Sequence, residues 1–128
     1  MRLLLDTHAL LWYIWGDSSL TAIARKTIED PHNIIYVSTA SQWEITVKYS
    51  LGKLILNLSL PDFLAKRIDG NGFLTLPIEH THLLTLPSLS MHHRDPFDRI
   101  LIAQSIAEVM PIISADAAFD AYPVTRIW

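Results

Sequence analysis

The chain has 128 residues, half of them apolar and 18% charged, with a formal net charge of −3 and no cysteine. This length and composition predict one folded domain over residues 1–128 and exclude an intrinsically disordered chain. The lack of cysteine excludes disulfides, zinc-thiolate sites and cysteine nucleophiles. No apolar run approaches the roughly 20 residues of a membrane span, and the first residues show no signal-peptide pattern, so we expect a cytoplasmic protein. The small negative charge neither indicates nor excludes a nucleic-acid partner.

Short apolar strands alternate with helices along the first half of the chain. The run Leu3-Leu4-Leu5 shows no polar alternation, which is typical of a strand covered on both faces in a parallel sheet. Capping residues and glycines divide the rest of this half into helices and strands. The predicted elements are a strand over 3–5, a helix over 9–15, a helix from Ser18 or Ser19 to Ile28, a strand over 34–37, and a helix from Ser38 or Ser41 to about Ser50.

The second half continues the alternation. Its predicted elements are a helix that opens at Pro61 and closes over 69–72, a strand over 73–76, a short helix over 78–86, an exposed loop over 87–94, a helix over 97–109, and strands over 112–114 and 124–128. The succession of strand, helix and strand predicts a three-layer α/β/α sandwich with a mostly parallel central sheet.

Four acidic residues occupy positions that this fold brings to one edge of the sheet. Asp6 follows the first strand directly, and Glu44, Asp98 and Asp116 fall where later elements return to the same edge. Ligands bind in the crevice outside the carboxyl ends of such strands. Four converging carboxylates repel one another unless a cation lies between them. Acids without cysteine or repeated histidine spacing favour Mg²⁺ or Mn²⁺, and a phosphodiester is the natural substrate of such an ion.

Helix capping is the alternative explanation for these acids. Asp6 is in position to cap the first helix, and Asp116 to close an Asx turn. Asp95-Pro96 begins a helix and places Asp98 near its third position, where the helix dipole favours an acid. Taken singly, each acid is explained equally well by a cap. Taken together they favour a site, because capping does not require an acid at every position.

The role of Glu44 depends on where its helix begins. If Ser41 is the cap, Ser41 to Glu44 matches a capping box, in which the glutamate accepts from the first amide of its own helix. If Ser38 is the cap, Glu44 lies further along the helix and projects toward the crevice. The sequence leaves both possibilities open.

Five segments, in this order, resemble the VapC-like toxins, which are PIN-domain ribonucleases of bacterial type II toxin–antitoxin pairs. The segments are LLLDTH at 3–8, STASQWEI at 38–45 with Lys48 and GKL at 52–54, HRDPFDR at 93–99 with LIAQ at 101–104, ISAD at 113–116, and YPV at 122–124 with Ile127-Trp128. The resemblance covers essentially the whole chain. Each segment alone is weak, whereas their order and spacing together are specific.

The resemblance implies a PIN-like α/β fold and a toxin that is a metal-dependent endoribonuclease. Asp6, Glu44, Asp98 and Asp116 would be the catalytic acids that bind Mg²⁺ or Mn²⁺, and metal-activated water would hydrolyse RNA phosphodiesters. The family's usual partner is a VapB-like antitoxin that occupies the active-site groove, and homodimers are common. Ser114 stands where the family often has a threonine, which preserves a hydroxyl near the last acid.

Other polar residues near the acids are candidates for supporting the metal ligands or contacting the substrate. Lys48 follows Glu44 by four residues, which favours a helical ion pair over a phosphate contact. Arg94 and Arg99 are better phosphate-binding candidates. His93 and His8 flank acids, whereas we expect the other histidines to be ordinary polar groups. The residues predicted to support the ligands or contact the substrate are Thr7, Lys48, Asp95, Arg99 and Ser114.

Two other function classes fit parts of the chain. A phosphoacceptor domain also places an aspartate after its first strand. Its haloacid-hydrolase form has a second acid two residues on, where this chain has His8, and no late lysine follows a strand end here. A non-catalytic protein-binding module would use the acids only as caps. Four aromatic residues are predicted to lie in the core or an interface rather than to stack on bases. They are Trp12, Tyr13, Trp15 and Trp43.

Overall fold

A five-stranded sheet forms the centre of the computed structural model, which describes all 128 residues. Its strands are β1 (Arg2–Leu5), β2 (Ile34–Ser38), β3 (Leu74–Leu76), β4 (Ile112–Ile113) and β5 (Arg126–Ile127). They lie in the order β3-β2-β1-β4-β5, and every neighbouring pair is parallel. The predicted parallel sheet is confirmed.

Six α-helical segments connect the strands. They are α1 (Thr7–Trp15), α2 (Ala22–Glu29), α3 (Thr39–Ser50), α4 (Leu60–Asp62), α5 (His80–Thr85) and α6 (Pro96–Glu108). The short α4 continues as a π-helix over Phe63–Ile68 and a 3₁₀ turn over Asp69–Asn71. Further 3₁₀ turns cover Leu86–Ser88 and Ala117–Ala121. No helix reaches the length and apolarity that crossing a lipid bilayer requires.

Both faces of the sheet are buried, which explains the unbroken apolar run of β1. Leu3 and Leu5 point into a core that includes residues of α1, α2 and α3. Leu4 points to the opposite face and packs in a second core with α6 residues such as Leu101. All three leucines are fully buried. Successive side chains of a strand alternate between faces, so helices on both sides cover the sheet, and the predicted three-layer α/β/α sandwich is confirmed.

The observed bounds of several elements differ from the predicted ones, most clearly at three places. Helix α2 begins after Thr21, whose hydroxyl accepts from the Ala24 amide at 3.1 Å, so the predicted cap at Ser18 or Ser19 is wrong. The Ser19 amide instead donates to the Asp17 carboxylate at 2.8 Å and closes a turn. The predicted helix from Pro61 is mostly π-helical. The predicted loop over 87–94 contains the end of a 3₁₀ turn, Leu86–Ser88.

The strand order brings three carboxyl ends together. Because β1 lies between β2 and β4, the residues that follow these strands share one edge of the sheet. Asp6 follows β1, Thr39 follows β2, and Ser114 follows β4. The chain therefore places its first acid at the centre of the crevice where ligands of parallel α/β sheets bind.

Candidate active site

Asp6 is a buried carboxylate that caps nothing. It occupies the N-cap position of α1, but its side chain makes no capping hydrogen bond. Its Oδ2 accepts from the Ser114 hydroxyl at 2.8 Å. Its Oδ1 is buried and has no hydrogen-bond partner. Burial raises the pKa of Asp6, and the charge of Glu44 raises it further. The capping explanation is wrong for this acid.

Glu44 also lies inside the protein and away from the start of its helix. Ser38 caps α3, since its hydroxyl accepts from the Ala40 amide at 3.0 Å, so the capping box at Ser41 is wrong. Glu44 is 3% exposed and its Oε1 has no partner. Its Oε2 accepts from Lys48 at 2.7 Å, and this bond raises the pKa of Lys48. The ion pair predicted for Lys48 is confirmed.

The two acids at the start of α6, Asp95 and Asp98, have different roles. Asp95 is its cap, because Oδ1 accepts from the amides of Phe97 at 2.8 Å and Asp98 at 3.3 Å. Asp98 lies in the first turn and is partly buried. Burial raises the pKa of Asp98 to about 7, and the negative charges of Asp6 and Asp95 add to that rise. The capping explanation therefore holds for Asp95.

Asp116 is both a cap and a neighbour of the other acids. Its Oδ1 accepts from the Ala118 amide at 3.0 Å and so begins a 3₁₀ turn. Its Oδ2 lies 2.9 Å from Nε2 of His93. The Asp116 amide donates to the Ser114 hydroxyl at 3.0 Å, and that hydroxyl donates to Asp6. Ser114 thus ties Asp6 to the backbone of Asp116.

His93 contacts both Asp98 and Asp116. Its Nε2 lies 3.1 Å from Oδ2 of Asp98 as well as 2.9 Å from Asp116. One donor atom from each of these three residues lies within 4.8 Å of the others. The negative charges of Asp6 and Glu44 also raise the pKa of Asp98, which shows that these acids lie close to it. The four predicted acids therefore form one neighbourhood, with Asp6 and Glu44 buried at its base and Asp98 and Asp116 at its mouth.

Comparison with known proteins supports the family that the motifs indicate. A model of the PIN domain matches residues 3–124, which is nearly the whole chain. The chain belongs to the PIN domain family. PIN domains are generally nucleases that depend on divalent metal ions. No curated protein matches the sequence significantly.

Solved structures show the same PIN fold. Thirteen chains match significantly. One belongs to the crystal structure of VapBC2 from Rickettsia felis bound to a DNA fragment from their promoter. It superposes with a TM-score of 0.72 at 16% sequence identity, and the match covers 98% of this chain and 97% of that chain. At this identity the likeness establishes the shared architecture.

The donor set of this PIN domain fits a hard divalent cation. Oδ1 of Asp6 and Oε1 of Glu44 are buried carboxylate oxygens without any partner. A buried polar atom that no donor satisfies costs free energy, and an anionic one costs the most. Carboxylate oxygens are the ligands that Mg²⁺ and Mn²⁺ prefer, so a cation among these acids would satisfy both atoms.

Two residues predicted to support the ligands or contact the substrate make hydrogen bonds that tie elements of the PIN domain together. The Arg99 guanidinium, predicted to grip phosphate, faces backbone carbonyls of the loop before α6. Its acceptors are the carbonyls of Leu86, Leu89, Ser90 and His93 and the hydroxyl of Tyr122, at 3.0 to 3.5 Å. The Thr7 hydroxyl donates to Ser41 at 2.8 Å and ties α1 to α3. Arg94 is exposed.

The raised pKa of Asp98 predicts how the stability of the metal-free PIN domain depends on pH. In the unfolded chain this carboxyl ionises near 3.8, whereas in the folded protein its pKa is about 7. Between these values the native state binds more protons than the unfolded state, so stability falls as pH rises. Asp6 contributes with the same sign, because its pKa is also raised. In EDTA, we expect the free energy of unfolding at pH 8 to be about 2 kcal/mol below that at pH 5.

Denaturant titrations across this pH range measure the effect. The Asp98→Asn variant should show a flatter profile and greater stability than the wild type at pH 8, because its side chain cannot ionise. Excess Mg²⁺ should restore stability to the wild type at pH 8, since a bound cation stabilises the native state. A wild-type profile that is level or rises from pH 5 to pH 8 would show that the carboxylates do not repel one another.

Proposed function

We propose that this PIN domain is an endoribonuclease that depends on Mg²⁺ or Mn²⁺ and acts as the toxin of a toxin–antitoxin pair. The observation that carries the proposal is the pair of buried, unpartnered oxygens on Asp6 and Glu44. They lie in the same neighbourhood as Asp98, whose pKa is raised to about 7 by burial and by neighbouring acids. Perturbed acids of this kind concentrate at functional sites.

The chemistry follows from the charge of the site. A divalent cation would polarise the phosphodiester and make water a stronger nucleophile. Asp6, Glu44, Asp98 and Asp116 would hold the cation. Lys48 partly neutralises Glu44 through its 2.7 Å ion pair, which lowers the charge that the metal-free site has to bear. The chain has no cysteine. The site therefore favours direct hydrolysis over a covalent intermediate on a thiol.

RNA is the substrate class that we assign to this site. The acids lie at the carboxyl edge of the sheet, where Asp6 and Glu44 are buried and only Asp98 and Asp116 are partly exposed. A single strand or a loop reaches such partly buried acids more easily than a duplex, because its phosphates can approach them without unpairing. The half-exposed Lys48 supplies positive charge beside the acids through its ion pair with Glu44.

The alternative functions receive less support from the geometry. A non-catalytic module would need all the acids as caps, but Asp6 and Glu44 make no capping bond. A phosphoacceptor domain would need a free lysine beside the first aspartate. Lys48 is instead paired with Glu44.

A protein inhibitor is the natural control of such a ribonuclease. We propose a VapB-like antitoxin whose Arg or Lys side chain enters the acidic crevice, while its apolar residues cover exposed tryptophans. Trp43 is 61% exposed and packs edge-on against Phe97 with ring centroids 5.0 Å apart. Trp15 is 41% exposed, and Trp12 contacts Trp128. We also propose a homodimer of this chain, which the resemblance implies.

Expression in a bacterial host tests the toxin function. We expect the wild-type chain to arrest growth when induced alone, because cleavage of cellular RNA stops protein synthesis. Co-expression of the small protein encoded beside it should restore growth. The Asp98→Asn variant is the matched control and should leave growth unchanged at equal soluble yield. If a soluble chain that cleaves RNA in vitro has no effect on growth, the toxin role is contradicted although the ribonuclease activity stands.

A further inference from the structure

His93 is held in place more firmly than its position in a loop would suggest. Its amide donates to the Tyr122 hydroxyl at 2.8 Å. Its carbonyl accepts from Arg99 at 3.3 Å. Its ring packs against Phe119 with centroids 5.7 Å apart. Contacts from α6 and from the segment after β4 therefore fix both the backbone and the ring of this residue.

A backbone hydrogen bond determines which ring nitrogen of His93 carries the proton. The Asp95 amide donates to Nδ1 of His93 at 3.2 Å, so Nδ1 is an acceptor and carries no proton. The neutral ring then carries its proton on Nε2. That nitrogen faces Oδ2 of Asp98 and Oδ2 of Asp116, at 3.1 and 2.9 Å. His93 is thus a hydrogen-bond donor shared by two acids.

This proton position is incompatible with metal ligation by Nε2. A histidine binds a metal through the lone pair of an unprotonated ring nitrogen. Ligation through Nε2 would move the proton to Nδ1, where it would face the Asp95 amide donor. His93 therefore belongs outside the set of metal ligands, although its Nε2 lies within 4.8 Å of ligand atoms on Asp98 and Asp116.

We propose that His93 is a positioning residue that holds the carboxylates of Asp98 and Asp116 in the orientation that binds the divalent cation. The inference rests on the proposed metal-dependent function. A carboxylate oxygen that accepts one hydrogen bond keeps a second lone pair, so both acids can bind a cation while His93 donates to them. Outer hydrogen-bond partners of this kind fix the orientation of metal ligands.

The cost of losing His93 follows from the same contacts. Without the shared donor, two carboxylates face each other and are free to rotate away from the cation site. Arg99 and Tyr122 acquire a function in this scheme, because each bonds the backbone of His93. Their contacts position the histidine, which in turn positions the acids.

Mn²⁺ titration of three variants tests the proposal. We expect His93→Ala to bind Mn²⁺ roughly tenfold or more weakly than the wild type, in the range seen for outer partners of metal ligands. His93→Gln should recover most of the affinity, because its amide N–H donates from a similar reach. His80→Ala is the matched control, because His80 is exposed at the start of α5, and it should match the wild type. Unchanged or tighter binding by a folded His93→Ala protein would overturn the proposal.

A spectroscopic measurement separates positioning from ligation. In ¹⁵N spectra of the histidine rings, the His93 proton should reside on Nε2 in the metal-free protein and remain there after Mg²⁺ is added. A shift of the proton to Nδ1 on metal addition would show that His93 is a ligand and would overturn the inference. A different result would contradict the proposed function itself: Asp98→Asn would then bind Mn²⁺ as tightly as the wild type.

Discussion

Replacing Asp98 with asparagine should lower the rate of RNA cleavage by on the order of a thousandfold, and Asp6→Asn should have a similar effect. Each substitution removes a negative charge from the cation site, and a cation that stabilises a phosphoryl transition state contributes several kcal/mol. The measurement is the initial rate of cleavage of a labelled single-stranded RNA in Mg²⁺. The same assay with EDTA should show no cleavage by the wild type.

The matched control for this prediction is Asp95→Asn. Asparagine caps helices about as well as aspartate, so α6 should keep its start and cleavage should change by less than about tenfold. The Asp98→Asn protein should also be more stable than the wild type without metal. In the wild type the pKa of Asp98 is raised to about 7, which shows that its charge is unfavourable in the folded protein. Lost activity with gained stability excludes unfolding as the cause. Cleavage that persists in EDTA, or at the wild-type rate in Asp98→Asn, would contradict metal-dependent hydrolysis.

The sheet was predictable from the sequence because apolar periodicity reports burial directly. The run Leu3-Leu4-Leu5 is apolar because both faces of β1 are covered, and such runs are typical of strands in a parallel sheet. Boundaries were less predictable. Several residues near a helix start can cap it, and only the structure shows that Thr21 rather than Ser18 or Ser19 does so for α2.

The acids were predictable as a set, whereas their individual roles were not. An acid that caps a helix and an acid that binds a metal can both follow a strand at the start of a helix, so the sequence does not tell them apart. The structure separates them by hydrogen bonds: Asp95 accepts two helix amides, while Asp6 accepts none from its helix. The predicted role of Glu44 depended on whether Ser38 or Ser41 caps α3. The structure shows that Ser38 is the cap.

The contacts of His93 and Arg99 lay beyond sequence reasoning because they depend on long-range packing. His93 precedes the acids of α6, which marked it for attention, but its bond to Asp116 joins residues 23 positions apart. Arg99 stands in a motif with acids and resembles a phosphate ligand. Nothing in the sequence shows that backbone carbonyls of the segment before α6 accept hydrogen bonds from the Arg99 guanidinium. Tyr122 belongs to a segment that carries the resemblance, but nothing in the sequence shows that its hydroxyl bonds the backbone of the loop before α6.

Calorimetric titration with Mn²⁺ tests the central claim, that Asp6, Glu44, Asp98 and Asp116 form a divalent cation site. We expect saturable binding to the wild-type protein freed of metal. The double variant Asp6→Asn with Asp98→Asn should bind at least on the order of a hundredfold more weakly, because two of four carboxylate ligands have lost their charge. Circular dichroism should show that the variant is folded. Equal binding by the folded double variant would show that the acids do not hold the metal and would contradict the account.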